Sequence, residues 1–495
     1  MKTFTRRFLR SATFASLLFV APAMLRAQTF TNTGSMNYQR YGQKATLLNN
    51  GTVLIAGGST TVTTDTWIPE AEIYNPATGL FSLTGSLNTA RDFPTATMLD
   101  NGMVLITGGY NYYAGGYLSS AELYNPATGT FTLTGSMTTA RLYHTATLLN
   151  NGMVLVAGGV NSGGYLASAE LYNPATGTFS ATGNLNHARA YQTATLLSNE
   201  IVLITGGFNG ASVLGSAELY NPATGAFSST GSMNYVRYGQ SATLLGNGTV
   251  LIAGGSTTTN TETWIPEAEI YNPASGLFTV TGNLNTARDF PSATLHPSGL
   301  VLIAGGYNYF AGGWLNSAEL YDPTTGTFTV TGAMNARRIY QTATLLANGS
   351  VLMTGGESTG YSVLSSAEFY QMPYAEFLPP YQILSVLYAA PGNASSNGFM
   401  NTTSYGTTTS VGQQFQAGTQ ITFTITGPFG ITCCTTAFGF TTATGSSQSF
   451  QETYSQGSGS AVVSVKNPVD HTQDQFFLFL NPMVTVTQTS LSSAV

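Results

Sequence analysis

The sequence of residues 143–182, YHTATLLNNGMVLVAGGVNSGGYLASAELYNPATGTFSAT, decides the fold. It holds four short runs rich in β-branched, aliphatic and aromatic residues, separated by an Asn-Gly turn, a Gly-Gly pair and an Asn-Pro-Ala-Thr-Gly turn. Runs of this length between Gly, Pro and Asn predict β-strands, and the short turns predict that neighbouring strands are antiparallel. No run has helical periodicity. The stretch therefore predicts one antiparallel sheet of four strands.

The same pattern occurs seven times along the chain. Each copy carries one Gly-Gly pair, and successive pairs are 51, 50, 48, 48, 51 and 50 residues apart. A repeat near this period that carries a whole supersecondary unit predicts a repeat architecture. One four-stranded sheet cannot bury both of its faces, whereas several sheets packed radially can. We therefore predict an all-β fold, a seven-bladed β-propeller of four-stranded blades.

The repeat resembles the kelch motif, which forms propeller blades, including those in the central domain of galactose oxidase. The match rests on the apolar run that ends in Gly-Gly, on the spacing of Tyr172 and Phe179, and on Arg189 after the fourth strand. It spans roughly residues 29 to 370. The resemblance implies a kelch-type propeller of an exported bacterial kind, occupying residues 28–370.

Galactose oxidase has a copper site made from a Tyr cross-linked to a Cys and from His ligands, and the resemblance raises the same site here. The propeller segment departs from that pattern because it contains no Cys. Its three histidines, His144, His187 and His296, stand where other copies carry Gln, Thr or similar residues, and we expect them on the surface or in turns. We therefore expect no metal and no cofactor.

The seventh copy lacks a fourth strand, because it runs from Phe369-Tyr370 into Gln371-Met372-Pro373. The missing segment occurs near the other end of the chain, where residues 29–34 (TFTNTG) match residues 130–135 (TFTLTG). We predict that residues 29–34 supply the outer strand of the last blade and close the ring.

The sequence also contains a longer repeat that spans several blades. Residues 37–81 nearly repeat as 234–278, and an Arg-Asp-Phe-Pro segment and an aromatic loop also return at an offset of 197 residues. Blades one to three are thus duplicated as blades five to seven, and the fourth is single. We predict two copies of each loop on one face of the ring.

The ends of the chain and its composition indicate where the protein works. Residues 1–27 combine a basic start, a short apolar run and small residues, which predicts a signal peptide, with the Sec and twin-arginine routes both open. No later apolar stretch is long enough to span a bilayer. Only 7% of residues are charged and the formal net charge is −6, which argues against nucleic acid as a partner. We expect an exported monomer found in the periplasm, at the cell surface or outside the cell.

The few charges inside the repeats recur once per blade. One Arg follows each fourth strand and one Glu lies in each third strand, which predicts partly buried ion pairs at the blade junctions. The alternative is a ring of guanidinium groups that binds an anionic ligand. The arginines are Arg40, Arg91, Arg141, Arg189, Arg237, Arg288 and Arg337 or Arg338. The glutamates are Glu72, Glu122, Glu170, Glu218, Glu269, Glu319 and Glu368.

One face of the predicted ring carries the variable loops, which follow the Gly-Gly pairs, and the links between blades. Aromatic and amide side chains in these loops could stack on sugar rings and bind hydroxyls, or they could only cover the core. The candidate ligand-binding residues are Trp67, Tyr110, Asn111, Tyr112, Tyr117, Trp264, Tyr307, Asn308, Tyr309 and Trp314. The carboxylates to test first are Asp92 and Asp289.

These features predict a non-catalytic binding or scaffold module for an extracellular glycan or protein. The alternative is a carbohydrate-active enzyme of the epimerase, mutarotase or lyase type, which would use the same face.

Residues 371–495 form a second predicted unit. Alternating apolar and polar residues between Gly and Pro predict a small β-rich, sandwich-like domain. Cys433 and Cys434 are adjacent, and either a vicinal disulfide or two separate thiols is compatible with the sequence.

Overall fold

The computed structural model describes residues 29–62, 66–259 and 263–371, together with eight strands between residues 400 and 488. The signal peptide predicted for residues 1–27 lies outside the described residues. Within them, the β-structure is interrupted by three single-turn 3₁₀ helices, Tyr112–Ala114, Tyr309–Ala311 and Thr359–Tyr361. None of the helices in the described part of the chain has the length and apolar character needed to cross a bilayer.

Seven antiparallel sheets of four strands each form the blades. The first strands are Lys44–Leu47, Thr95–Met98, Thr145–Leu148, Thr193–Leu196, Ser241–Leu244, Ser292–Leu295 and Thr342–Leu345. The second strands are Val53–Ala56, Val104–Thr107, Val154–Ala157, Val202–Thr205, Val250–Ala253, Val301–Ala304 and Val351–Thr354. The third strands are Glu70–Asn75, Ala121–Asn125, Ala169–Asn173, Ala217–Asn221, Glu267–Asn272, Ala318–Asp322 and Ala367–Tyr370. The fourth strands of blades one to six are Leu80–Ser86, Thr130–Leu133, Thr178–Ala181, Ala226–Ser229, Leu277–Asn283 and Thr327–Val330.

The first strands surround the central axis. Each contacts the first strands of the blades before and after it, and the first strand of blade seven contacts that of blade one. This cyclic order confirms the predicted seven-bladed, all-β propeller.

The outer strand of blade seven comes from the N-terminal side of the described chain. Phe30–Asn32 pairs antiparallel with Ala367–Tyr370, with Phe30 opposite Tyr370 and Asn32 opposite Glu368. This strand lies within residues 29–34, the segment that the repeat alignment assigns to this position. Both ends of the propeller segment therefore contribute to one sheet.

The hydrophobic core lies between neighbouring blades. At the junction of blades one and two, Leu54 and Ala71 pack with Val104, Ile106 and Tyr124. A cluster of this kind occupies each of the seven junctions. The second strands are buried along their whole length because a sheet covers each of their faces.

The Gly-Gly pair ends the second strand because the link into the next blade approaches it closely. Gly158 and Gly159 have φ values of 65° and 100°, and the N–H of Gly159 donates to the Arg189 carbonyl at 2.8 Å. A Cβ on Gly158 would lie 2.7 Å from that carbonyl oxygen. The pair is therefore structural in this repeat.

Strands also occur in the C-terminal unit. A four-stranded antiparallel sheet has the spatial order Thr432–Gly439, Gln420–Thr426, Gly459–Lys466 and Gln473–Leu480. Two strand pairs accompany it, Phe450–Thr453 with Thr485–Gln488 and Met400–Asn401 with Ser410–Val411. The state of the Cys433 and Cys434 side chains lies outside what the structure describes.

Candidate functional site

One face of the ring, here called the loop face, carries the loops that follow the Gly-Gly pairs and the links that enter each blade. The two are joined by backbone hydrogen bonds within each blade. In blade two, the N–H of Asp92 donates to the Tyr110 carbonyl and the N–H of Tyr110 donates to the Asp92 carbonyl, each at 3.0 Å. Equivalent bridges occur in all seven blades. The loop face is therefore tied to a rigid scaffold.

The predicted Arg–Glu pair is present in every blade. In blade two, Arg91 Nη2 lies 2.8 Å from Glu122 Oε1, and Arg91 Nη1 donates to the carbonyls of Gly108 and Ser120. Glu122 Oε2 accepts from the backbone N–H of Asn88 at 2.7 Å. The seven pairs are Arg40–Glu72, Arg91–Glu122, Arg141–Glu170, Arg189–Glu218, Arg237–Glu269, Arg288–Glu319 and Arg338–Glu368.

Because these ion pairs are buried, their side chains are not available to bind a ligand. All seven guanidinium groups are buried, so the alternative of an open ring of arginines is wrong. Burial lowers the pKa of Arg91, and the Glu122 carboxylate acts in the opposite direction. Burial alone would raise the pKa of Glu170, but the backbone N–H of Thr138 and the Arg141 guanidinium lower it overall. Fixed donors thus hold the Glu170 carboxylate in its charged form.

A group of aromatic side chains that the sequence analysis missed lies around the axis on the loop face. In each link, the second residue after the Arg has positive φ. Two of these positions are glycine, Gly42 and Gly239. The other five are aromatic, with φ between 45° and 58°: Phe93, Tyr143, Tyr191, Phe290 and Tyr340.

Positive φ is unusual for a bulky residue, and its recurrence at this position of every link shows a backbone constraint that the links share. Neighbouring rings are in contact: Tyr143 stacks on Tyr191 with centroids 4.1 Å apart, and Phe290 lies 5.1 Å from Tyr340. A Cβ on Gly239 would lie 3.0 Å from the Phe290 ring. The glycines at this position could have pointed to the special backbone, but the aromatic residues give no such signal in the sequence.

A candidate binding site is a cavity of about 520 Å³ beside these rings, here called the aromatic pocket. Links and loops of blades three to seven line it. Of the predicted candidates, Asp289, Tyr307 and Trp314 belong to it. The residues that the sequence analysis missed are Tyr165, Tyr191, Phe208, Tyr238, Thr259, Phe290, Ile339, Tyr340, Glu357 and Tyr361.

Two carboxylates from different blades, Asp289 and Glu357, line the aromatic pocket. Glu357 Oε1 accepts from Trp314 Nε1 at 3.2 Å. Burial raises the pKa of Glu357, and the bond from Trp314 only partly offsets this. Burial, with Asp289 and Glu357 nearby, holds the pKa of Tyr340 well above its usual value, so its hydroxyl stays protonated. The sequence contains one sign that Glu357 is distinctive, because the residues at this position in the other blades are uncharged.

Several of the predicted ligand-binding residues are buried in the loops or bonded to the loop backbone. Trp67 and Trp264 are buried, with Trp67 edge-on to Tyr113 at 5.6 Å. Asn111 Oδ1 accepts from the backbone N–H groups of Tyr113 and Ala114, and its Nδ2 donates to the Ala90 carbonyl. In blade six, Asn308 Nδ2 donates to the Ala287 carbonyl and its Oδ1 accepts from the backbone N–H of Ala311.

The other candidates of blade two lie outside the aromatic pocket. Tyr110 and Tyr117 contact each other edge-to-face at 5.3 Å, and Asp92 is buried beneath this loop. Tyr112 is exposed, and so is its counterpart Tyr309 in blade six. The loops of blades two and six are thus built alike, as the 197-residue duplication predicts.

The described residues do not fit the copper site that the resemblance raised. They contain no group of three or more His, Cys, Asp or Glu side chains placed to hold a metal ion. His187 lies at the surface beside Glu218, and His296 bonds to Ser298 within a turn. The prediction of a surface or turn position is wrong for His144, which is buried between blades and contacts Thr95 and Thr107.

His144 is a position at which blade three carries a different residue from other copies of the repeat. Gln192 takes this position in blade four, and its Nε2 donates to the Ala157 carbonyl at 2.9 Å. Burial, together with the nearby Arg141, lowers the pKa of His144 to about 3. Because the unfolded chain binds a proton near pH 6.5, the neutral buried His costs stability as pH falls from there towards 3, by about 1.4 kcal/mol per pH unit.

We expect His144→Gln to flatten the loss of stability between pH 7 and pH 4, since Gln does not titrate and can donate to the Thr107 carbonyl. Denaturant unfolding at both pH values measures this, with the exposed His187→Gln as the control. If both variants lose as much stability on acidification as the parent, His144 does not carry the effect.

Two of three comparisons with known proteins found a match. A family model for the kelch motif matches residues 94–138, 141–186 and 292–335. A solved structure described as a novel fungal alcohol oxidase with catalytic diversity among the AA5 family, in complex with copper, matches with a TM-score of 0.59 and 16% identity. That match covers 92% of this chain and 100% of the oxidase chain. No curated protein matches by sequence. At this identity, the likeness to the oxidase shows the fold alone.

Proposed function

We propose that this kelch-motif propeller is an exported, non-catalytic module that binds neutral glycans at its loop face. The observation that carries the proposal is the exposure of two pairs of aromatic side chains at equivalent loop tips. Tyr112 and Tyr113 are 68% and 82% exposed, and Tyr309 and Phe310 are 66% and 82% exposed. We call these the rim pairs.

The rim pairs are held rigidly although they face solvent. In blade two, the Asn111 cap, the Gly115 N–H bond to the Tyr112 carbonyl and the Trp67 ring beneath Tyr113 fix the turn. In blade six, Trp264 lies 5.6 Å from Phe310 in the same edge-on arrangement. Rigid aromatic side chains lose little entropy when a ligand stacks on them.

A neutral glycan suits the chemistry of these tips. The apolar faces of sugar rings stack on aromatic side chains, and their hydroxyls bind amides and backbone groups. The rim pairs themselves carry no charge. Because two equivalent pairs sit on one rigid ring, a glycan chain or a surface with many glycans can engage both, which raises the effective affinity.

The test is a glycan array with the mature protein, followed by titration of each hit. We expect Tyr112→Ala with Tyr113→Ala, or Tyr309→Ala with Phe310→Ala, to weaken binding about tenfold, which corresponds to about 1.4 kcal/mol of lost stacking. We expect the four-residue variant to lose binding. Folding should be unaffected because these side chains are exposed.

The matched control is Leu80→Ala with Leu133→Ala, which removes exposed apolar residues from outer strands. Equal binding by the parent and the four-residue variant would refute the proposal. Binding only to a protein ligand would favour the protein-binding alternative.

The carbohydrate-active enzyme remains the second candidate, and one observation favours it. Asp289, Tyr340 and Glu357 line one pocket, which places two carboxylates and a phenol where they could serve as acid and base. Conversion of a bound glycan, followed by NMR, and its loss in Glu357→Gln would support an enzyme over a binding module.

A further inference from the structure

We infer that the aromatic pocket is a binding site for an organic cation that carries an alkylated ammonium group. The inference goes beyond glycan binding at the rim pairs and does not depend on it. It rests on the lining of the cavity, on its two carboxylates and on a comparison that the chain itself provides.

The lining has the composition of a cation-binding aromatic cage. Nine of its thirteen residues are Tyr, Phe or Trp, and none is Lys, Arg or His. The rings are oriented at steep angles to one another, for example 71° between Tyr191 and Phe290 and 90° between Trp314 and Tyr361. The face of an aromatic ring attracts a cation, so a lining made mostly of aromatic side chains suits a cationic ligand.

The carboxylates supply the opposite charge. Glu357 is only 8% exposed, and within the described residues the hydrogen bond to its side chain comes from Trp314 to Oε1. No cationic side chain of the lining faces it. A buried carboxylate without a cation is costly, and the raised pKa of Glu357 is consistent with that cost. A cationic ligand would remove it.

The nearest arginines are already engaged. Arg288 and Arg338 are buried and paired with Glu319 and Glu368. Arg337 is exposed and donates to the backbone carbonyl of Trp314, outside the lining. Among the lining residues, the ionisable side chains near these arginines are thus the two carboxylates and the tyrosines.

Size and rigidity favour an organic ligand. A volume of about 520 Å³ lies in the range of small-molecule sites and far exceeds a single metal ion. The rings of Phe290 and Tyr340 are set by positive-φ links, and the N–H of Phe290 donates to the Gly239 carbonyl at 2.7 Å. The pocket is therefore organised before a ligand arrives.

The internal duplication shows which residues of this pocket occur in only one half of the ring. At the offset of 197 residues, Asp289 corresponds to Asp92, and Tyr340 corresponds to Tyr143. Glu357 corresponds to Val160. The second carboxylate thus belongs to one half of the ring, although the Asp and the positive-φ Tyr are present in both.

The experiment measures binding of tetramethylammonium, choline and benzyltrimethylammonium by titration calorimetry and by Trp fluorescence, with Trp314→Phe identifying the reporting ring. The neutral isostere of choline, 3,3-dimethylbutanol, is the ligand control. We expect at least one cation to bind, choline to bind more tightly than its isostere, and Glu357→Gln to weaken cation binding about tenfold.

Glu357→Val, which copies the other half of the ring, should have the same effect. Val160→Ala is the control at the corresponding position and should leave cation binding unchanged. The four-residue rim variant should also bind cations normally, which separates this site from the glycan proposal. The inference is overturned if none of the cations binds, if choline and its isostere bind equally, or if folded Glu357→Gln binds cations as the parent does.

Discussion

Removal of residues 29–34 is expected to cost at least about 3–5 kcal/mol of the free energy of unfolding, because the loss of the Phe30 side chain alone costs about that much. Phe30 is buried at the junction of blades six and seven, and its ring lies 4.9 Å from Tyr370. The truncated chain also loses the Thr33 Oγ1 bond to the Tyr74 hydroxyl, at 2.9 Å, which ties blade seven to blade one. Guanidinium unfolding of chains that begin at residue 29 and at Ser35 measures the difference.

The same truncation exposes a sheet edge. Ala367–Tyr370 would have no partner on its outer side, and unpaired strand edges associate with other chains. We therefore expect the truncated protein to form dimers or larger species in size-exclusion chromatography. Phe30→Ala should lose stability without exposing the edge, and the exposed Thr31→Ala should change neither property. If the chain that begins at Ser35 has the same free energy of unfolding as the chain that begins at residue 29, the strand does not stabilise the closed ring.

Replacement of one buried glutamate is the second change with a large expected effect. Glu122→Ala should cost about 3–5 kcal/mol, because it leaves the Arg91 guanidinium buried without its carboxylate. It also removes the acceptor for the backbone N–H groups of Asn88 and Thr89. Denaturant unfolding measures the cost, and Asp100→Ala, at an exposed turn of the same blade, is the control.

A double variant distinguishes a buried pair from a simple loss of contacts. Arg91→Met with Glu122→Leu removes both charges, and we expect it to recover part of the stability lost in Glu122→Ala. If Glu122→Ala costs no more than Asp100→Ala, the pairs do not hold the links in place. The other six blades offer repeats of the same experiment.

The strands and their order were predictable because they depend on short stretches of sequence. In the third copy, the run 153–157 corresponds to the strand Val154–Ala157, and the run 178–182 corresponds to Thr178–Ala181. The closing strand was also predictable, since residues 29–34 match the fourth strand of another blade. The Arg–Glu pairs followed from two charges that recur once in each copy of a chain with few charges.

The candidate site was predictable only in part. Aromatic loop residues pointed to the loop face, where the aromatic pocket lies, but Trp67 and Trp264 are buried beneath the loops, and Asn111 and Asn308 cap turns. Tyr191 was passed over because nothing in an Arg-Ala-Tyr-Gln link indicates that its Tyr has positive φ. The sequence of one repeat does not reveal which residues of other blades its loop residues contact.

By itself, the sequence determined the repeat, the number of blades, the segment that completes the last blade and the ion pair within each blade. These features follow from hydrophobic alternation, turn residues and charge spacing, all of which act over a few tens of residues. Only the tertiary structure decided that Tyr191, Asp289 and Glu357 share one cavity. Radial packing of the blades brings distant links together, and the left-handed backbone at Tyr191 and Tyr340 sets where their rings lie.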